Sequence, residues 1–139
     1  MIAHLVPPLV EHIKHRNPKV RYAALHVIGQ FADDMAVKFQ EVFHDQVFPA
    51  LVAALDDPVP RVAAHACAAL TNFCEYANPT VLMPHVKGVC EKLCHLIQNG
   101  VIFVKENAVT CLSEIADRIE TKFENYFKTT LTFLITYLN

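Results

Sequence analysis

Apolar residues recur along this chain at i, i+4, i+8 and i+11, the spacing of one helical face, and the pattern repeats after 42 residues. Val20, Val62 and Val104 align at that shift, as do Ala24, Ala66 and Ala108, then Ile28, Leu70 and Leu112, then Phe31, Phe73 and Ile115. A second set lies upstream: Leu5, Val47, Val89 and Leu131; Leu9, Leu51, Leu93 and Ile135; Ile13, Leu55 and Ile97. Phe39, Val81 and Phe123 extend it further. Two apolar runs per unit predict a pair of helices. The first, helix A, is expected over about Met1–Lys14, Lys38–Leu55, Val81–Gln98 and Lys122–Leu138. Helix B is expected over about Lys19–Asp33, Arg61–Tyr76 and Ile102–Ile119. Asn17-Pro18, Asp56-Asp57-Pro58 and Asn99-Gly100 separate A from B, because proline blocks continuation and Asn or Gly supplies turn conformations.

A 42-residue, two-helix unit fits HEAT repeats, whereas tetratricopeptide and ankyrin units run to about 33 or 34 residues and armadillo units add a third short helix. Pro7, Pro49 and Pro84 fall within the expected A helices and should kink them. The fold expected is an all-α superhelix, a HEAT-repeat solenoid of about three and a half repeats, with A on the convex and B on the concave side. Its units are about 1–37, 38–79 and 80–121, with a partial unit over 122–139. Polar capping faces are expected at the ends of a solenoid. Neither end shows one, and the pattern reads as a single segment excised from a longer array. The seam Phe127, Leu131, Ile135 and Leu138 would then lack a covering B helix, so self-association or marginal stability of the isolated segment is expected.

Composition narrows the function classes. Twelve Lys and Arg against fourteen Asp and Glu leave a formal net charge of -2, without the concentrated basic face that nucleic acid requires. Three glycines exclude glycine-rich phosphate loops. No apolar stretch approaches the roughly 20 residues of a membrane span, and Met1–His15 lacks the build of a secretory signal.

Each of the five cysteines stands where sister units carry apolar residues: Cys90 matches Phe48 and Val6, Cys94 matches Val52, Cys67 matches Leu25, Cys74 matches Ala32, and Cys111 matches Ala69. They read as small core residues in a reducing compartment. Cys90, Cys94 and His95 do not suit zinc, since adjacent side chains on a helix diverge. The eight histidines share no slot, and the single Ser113 lies mid-helix. The chain is read as a non-enzyme with no metal and no cofactor.

The polar faces of the B helices are more informative. At 100° per residue, Val20, Ala24, Val27, Ile28 and Phe31 take one side of the first B helix, and His26, Gln30 and Asp33 the other. Shifting by 42 gives Gln30, Asn72 and Glu114, then Asp33, Glu75 and Asp117. Every unit therefore places an amide or acid, and an acid one turn later. Between them Gly29, Thr71 and Ser113 are small, which would let a ligand chain approach closely. Neighbouring helices stand roughly 10 Å apart, a gap that three residues of extended chain can bridge. An extended peptide with spaced lysines suits this ladder; solvation of an ordinary helix face is the competing explanation.

The run Asn17-Pro18-Lys19-Val20-Arg21-Tyr22-Ala23-Ala24, followed by Gly29-Gln30-Phe31-Ala32-Asp33-Asp34 and Ala36-Val37-Lys38-Phe39-Gln40, resembles the central HEAT repeats of β-karyopherins, nearest the importin-five (importin beta-three) type. Arg61-Val62-Ala63-Ala64-His65-Ala66, Ala68-Ala69-Leu70-Thr71-Asn72-Phe73 and Glu75 continue the likeness, and Leu96-Ile97-Gln98-Asn99-Gly100 keeps it in the third unit. The resemblance implies a nuclear transport receptor, cytoplasmic and nuclear, that binds cargo directly, releases it on meeting Ran-GTP and contacts Phe-Gly nucleoporins. It also implies that Gln30, Asp33, Asn72, Glu75, Glu114 and Asp117 receive lysines of an import signal. The third unit departs by placing Arg118 beside Asp117. A HEAT scaffold or regulatory subunit of the phosphatase-scaffold kind is the alternative, using inter-helix loops as its contact surface.

Overall fold

The computed structural model describes residues 2–119 together with Thr132 and Thr136. After a 3-10 turn at Ile2–His4, the helices are α1 (Val6–His12), α2 (Pro18–Asp34), α3 (Lys38–Ala54), α4 (Pro60–Tyr76), α5 (Pro79–Leu82), α6 (Val86–Asn99) and α7 (Ile102–Ile119). Among the described residues there is no strand. The expected fourth A helix and its apolar seam lie outside the described residues.

The B helices start where proline and an Asx cap permit. Pro18 and Pro60 occupy the first turns of α2 and α4, where a missing N–H costs nothing. Asn17 Oδ1 accepts the Lys19 N–H at 2.9 Å and so caps α2. Of the three prolines expected to kink A helices, only Pro49 lies inside one. Pro7 opens α1 in its first turn. Pro84 sits in a second 3-10 turn, Met83–His85, which divides the third A element into α5 and α6. Leu5, expected in the core, is 43% exposed and stands at the N-cap of α1.

α2, α4 and α7 pack side by side as a continuous B layer, and α1, α3 and α6 cover it from one side. Packing within the B layer is far more extensive than between neighbouring A helices. The core lies between the layers: Leu25, Ile28, Leu51, Leu70, Phe73, Leu93 and Leu112 are buried, as are Val62 and Val104. Val20, the matching residue of α2, is half-buried. All five cysteines are buried, and none forms a disulfide among the described residues. Burial raises the Cys67 thiol to about 12 and pushes Cys74, Cys94 and Cys111 above the usual thiol range. A protonated thiol is a poor nucleophile and ligand.

Two features join unit to unit. Arg21 on α2 reaches the loop before α4 and donates from Nε and Nη2 to the two Asp57 carboxylate oxygens at 2.7 and 3.0 Å. Gln40 on α3 is buried, and its Nε2 donates to the Ala32 carbonyl at 2.8 Å and the Phe73 carbonyl at 3.4 Å. One amide thereby ties the ends of both flanking B helices.

Candidate functional site

The six ladder residues come to the outer surface of the B layer, toward the C-terminal ends of α2, α4 and α7. Gln30, Asp33, Glu75 and Asp117 are exposed; Asn72 and Glu114 are half-buried. The amphipathic period dictates this placement, because burying Ile28, Leu70 and Leu112 turns the residues two and five positions later away from the core.

The acids of neighbouring helices affect one another. Partial burial raises the Glu114 carboxyl above its ordinary value, and the charges of Glu75 and Asp117 raise it further, against a smaller opposing effect of Arg118. The charge of Glu75 raises the Tyr76 phenol, with burial and then the Asp33 carboxylate adding to it. This face is an anionic surface under internal repulsion. Because the folded state holds the Glu114 proton more tightly than the unfolded chain does, Glu114 weakens the fold as pH rises from the ordinary carboxylate range through its raised folded value. Glu114→Gln should therefore raise the thermal midpoint at neutral pH, and the gain should vanish in acid below the carboxylate range. Melting curves across pH check this; a gain that persists in acid would mean that packing, not charge, limits the site.

The structure adds to two sequence expectations. Gly29 lines a cleft between α2 and α4 and also lies against α4. A Cβ built on it would stand 3.4 Å from both the Cα and the Cβ of Ala69, and the Gly29 carbonyl accepts the Asn72 side-chain amide at 3.4 Å. The small residue serves the close approach of α2 to α4. Thr71 turns its hydroxyl back to the Cys67 carbonyl at 2.8 Å, a bond internal to α4. Arg118, placed by sequence beside Asp117, donates from Nε to the Ala77 carbonyl at 3.2 Å and so satisfies the C-terminal end of α4.

Sequence reasoning missed Tyr76, which stands among the acids; being next to Glu75 was the one available signal. Beside the amides, a cleft of about 120 Å³ between α2 and α4 is lined by Gln30 and Asn72 together with His26 and His65. Among the described residues no three His, Cys, Asp or Glu side chains converge as a metal cage, and no helix is long and apolar enough to cross a membrane. The face sets carboxylates and amides, all able to accept hydrogen bonds, along a line of helices.

Comparison with known proteins gives three findings. The model of HEAT repeats matches residues 6–87. The chain is 34% identical over 138 residues to importin subunit beta-3 of Saccharomyces cerevisiae (strain ATCC 204508 / S288c), covering 99% of this chain and 12% of that protein. It is also similar to crystal structures of Kap121p bound to the SUMO protease Ulp1p, to Pho4p and to Nup53p, each with a TM-score of 0.91 and 32% identity over 97% of this chain and 13% of that one. A Kap121p variant with an aspartate, a glutamate and an aspartate each replaced by lysine, at successive spacings of 43 and 42 residues, matches with a TM-score of 0.91 and 31% identity. The chain thus spans about an eighth of the length of these relatives.

Proposed function

Because this chain belongs to the HEAT-repeat family, whose stacked units form extended binding surfaces, we propose that it is a segment of a nuclear import receptor that binds lysine-rich import signals on its B-helix face. Gln30, Asp33, Asn72, Glu75, Glu114 and Asp117 are the proposed receptors: carboxylates accept ammonium protons, and amides hold the peptide backbone or the lysine stems. One observation carries the reading. The same slot stays acidic through three units on an exposed face, beside a Glu114 carboxyl that burial and then the charges of Glu75 and Asp117 raise. Solvation requires no such alignment, whereas an incoming ammonium group relieves the repulsion. The lysine-replaced Kap121p variant supports it, since an Asp, Glu, Asp order at nearly the same spacing was the set changed there.

Residues 1–37, 38–79 and 80–121 are read as successive units, and 122–139 as the start of another. Cargo proteins with basic signals are the direct partners. Ran-GTP and Phe-Gly nucleoporins would be met through a longer receptor that moves between cytoplasm and nucleus. No catalytic step is part of the reading.

Calorimetric titration with an extended peptide carrying spaced lysines tests it, beside the same peptide with glutamine in their place. Binding should occur only with lysine and should weaken as salt rises, because exposed charges are screened over about 10 Å at 0.1 M. Equal affinity for the two peptides would overturn the reading.

A further inference from the structure

At the N-terminal side of the ladder, two histidines 39 residues apart meet across the α2–α4 contact, with His26 Nδ1 lying 3.2 Å from His65 Nε2. Their rings are nearly parallel, at 14° with centroids 5.3 Å apart. Tyr22 stacks on His65 at 4.0 Å and 17°, and the Arg61 guanidinium lies 5.8 Å from the centre of the Tyr22 ring. His65 is therefore stacked on one face by Tyr22 and met edge to edge by His26, which is exposed at the mouth of the cleft.

Two imidazole nitrogens facing each other at this distance can share one proton, or both can turn lone pairs to a common point. A metal about 2.0–2.1 Å from each of two nitrogens 3.2 Å apart subtends an angle of about 100° at the ion, between the octahedral and tetrahedral values. We propose that His26 and His65 form an open two-histidine site for a borderline divalent transition metal such as Zn²⁺, its remaining positions facing the cleft for water or a donor from a bound partner. Imidazole is the ligand such ions favour, and stacking by a neighbour is the kind of support that fixes a ligand's orientation. Tyr22 is the neighbouring titratable group and Arg61, across its ring, the neighbouring charge.

Other histidines are less suited. His12 Nδ1 is bound to the Pro8 carbonyl at 2.6 Å, and His15 Nδ1 accepts the Asn17 N–H at 3.0 Å. His95 Nδ1 faces the Asn99 amide at 3.1 Å. The Cys67, Cys74, Cys94 and Cys111 thiols, raised by burial, do not compete.

Calorimetric titration of the reduced chain with zinc chloride, slightly above neutral pH, tests the site. The wild type should take up one equivalent. His26→Gln and His65→Gln should each weaken that uptake by about tenfold or more, whereas a His12→Gln/His15→Gln variant keeps it. Cu²⁺ loaded in place of zinc should show two-nitrogen hyperfine splitting by paramagnetic resonance, reduced to one in His65→Gln. Exposed His26 is the safer substitution, and an unchanged thermal midpoint confirms that folding is intact. No uptake by the wild type at about 1 mM zinc, or uptake that survives both single substitutions at full strength, would overturn the proposal. The readout is metal alone, so its failure leaves peptide recognition untouched, and the reverse also holds.

Discussion

Changing Asp33 and Glu75 together to lysine is expected to abolish binding of a lysine-rich peptide while leaving the fold intact. Each substitution removes a charge-assisted hydrogen bond and installs repulsion at the same point, so the combined loss should reach about 3 kcal/mol or more, on the order of a hundredfold in affinity. Single Asp33→Asn or Glu75→Gln changes keep the shape and a neutral acceptor, and should cost about 1–2 kcal/mol each. Both positions are exposed and lie away from the core, so the thermal midpoint should hold or rise slightly as like charges are removed. Calorimetry beside a melting curve separates the two effects. Unchanged affinity in the double variant would remove this face as the cargo site and raise the scaffold reading, with its loop-edge contacts, above it.

Phe73→Ala should do the converse, destabilising the chain without touching the acidic face. Phe73 is fully buried on α4, and its ring meets Phe39 at 6.4 Å in an edge-on arrangement and Phe48 at 5.7 Å. Both partners come from α3, so this cluster is where an A helix is locked to its B helix. Truncation removes the transfer energy of a large aromatic and leaves a cavity that rigid helices cannot close, at a cost of about 3–5 kcal/mol. Against a total stability of about 5–15 kcal/mol this is a large fraction. Urea denaturation measures it directly. A loss below about 1 kcal/mol would mean that α3 and α4 close over the void, contrary to the close packing described.

The contrast between these substitutions shows which features were legible in the chain itself. A solenoid buries the same face in every unit, so a 42-residue period in apolar identity is enough to give helix type, helix order and burial. The period gave the first residue of α7, and the bounds of α2 and α4 to within one. The same logic identified all five cysteines as core residues, because their slots are apolar elsewhere. The exposure of Asp33, Glu75 and Asp117 was likewise implied by the residues that must turn inward.

What one helix does to the next was not legible. The close approach at Ala69 that makes Gly29 small, the turn of Arg118 to the Ala77 carbonyl, the pairing of Arg21 with Asp57 and the meeting of His26 with His65 all join residues 36 to 41 positions apart or lie between two helices. Pro84 illustrates the same limit, since its place in the period said that an A element must pass there but not that a 3-10 turn would divide it. Periodicity records which face each helix buries. The rotation and separation of successive helices, and the rotamers chosen where they touch, follow from packing the whole layer at once, and only the tertiary structure decides them.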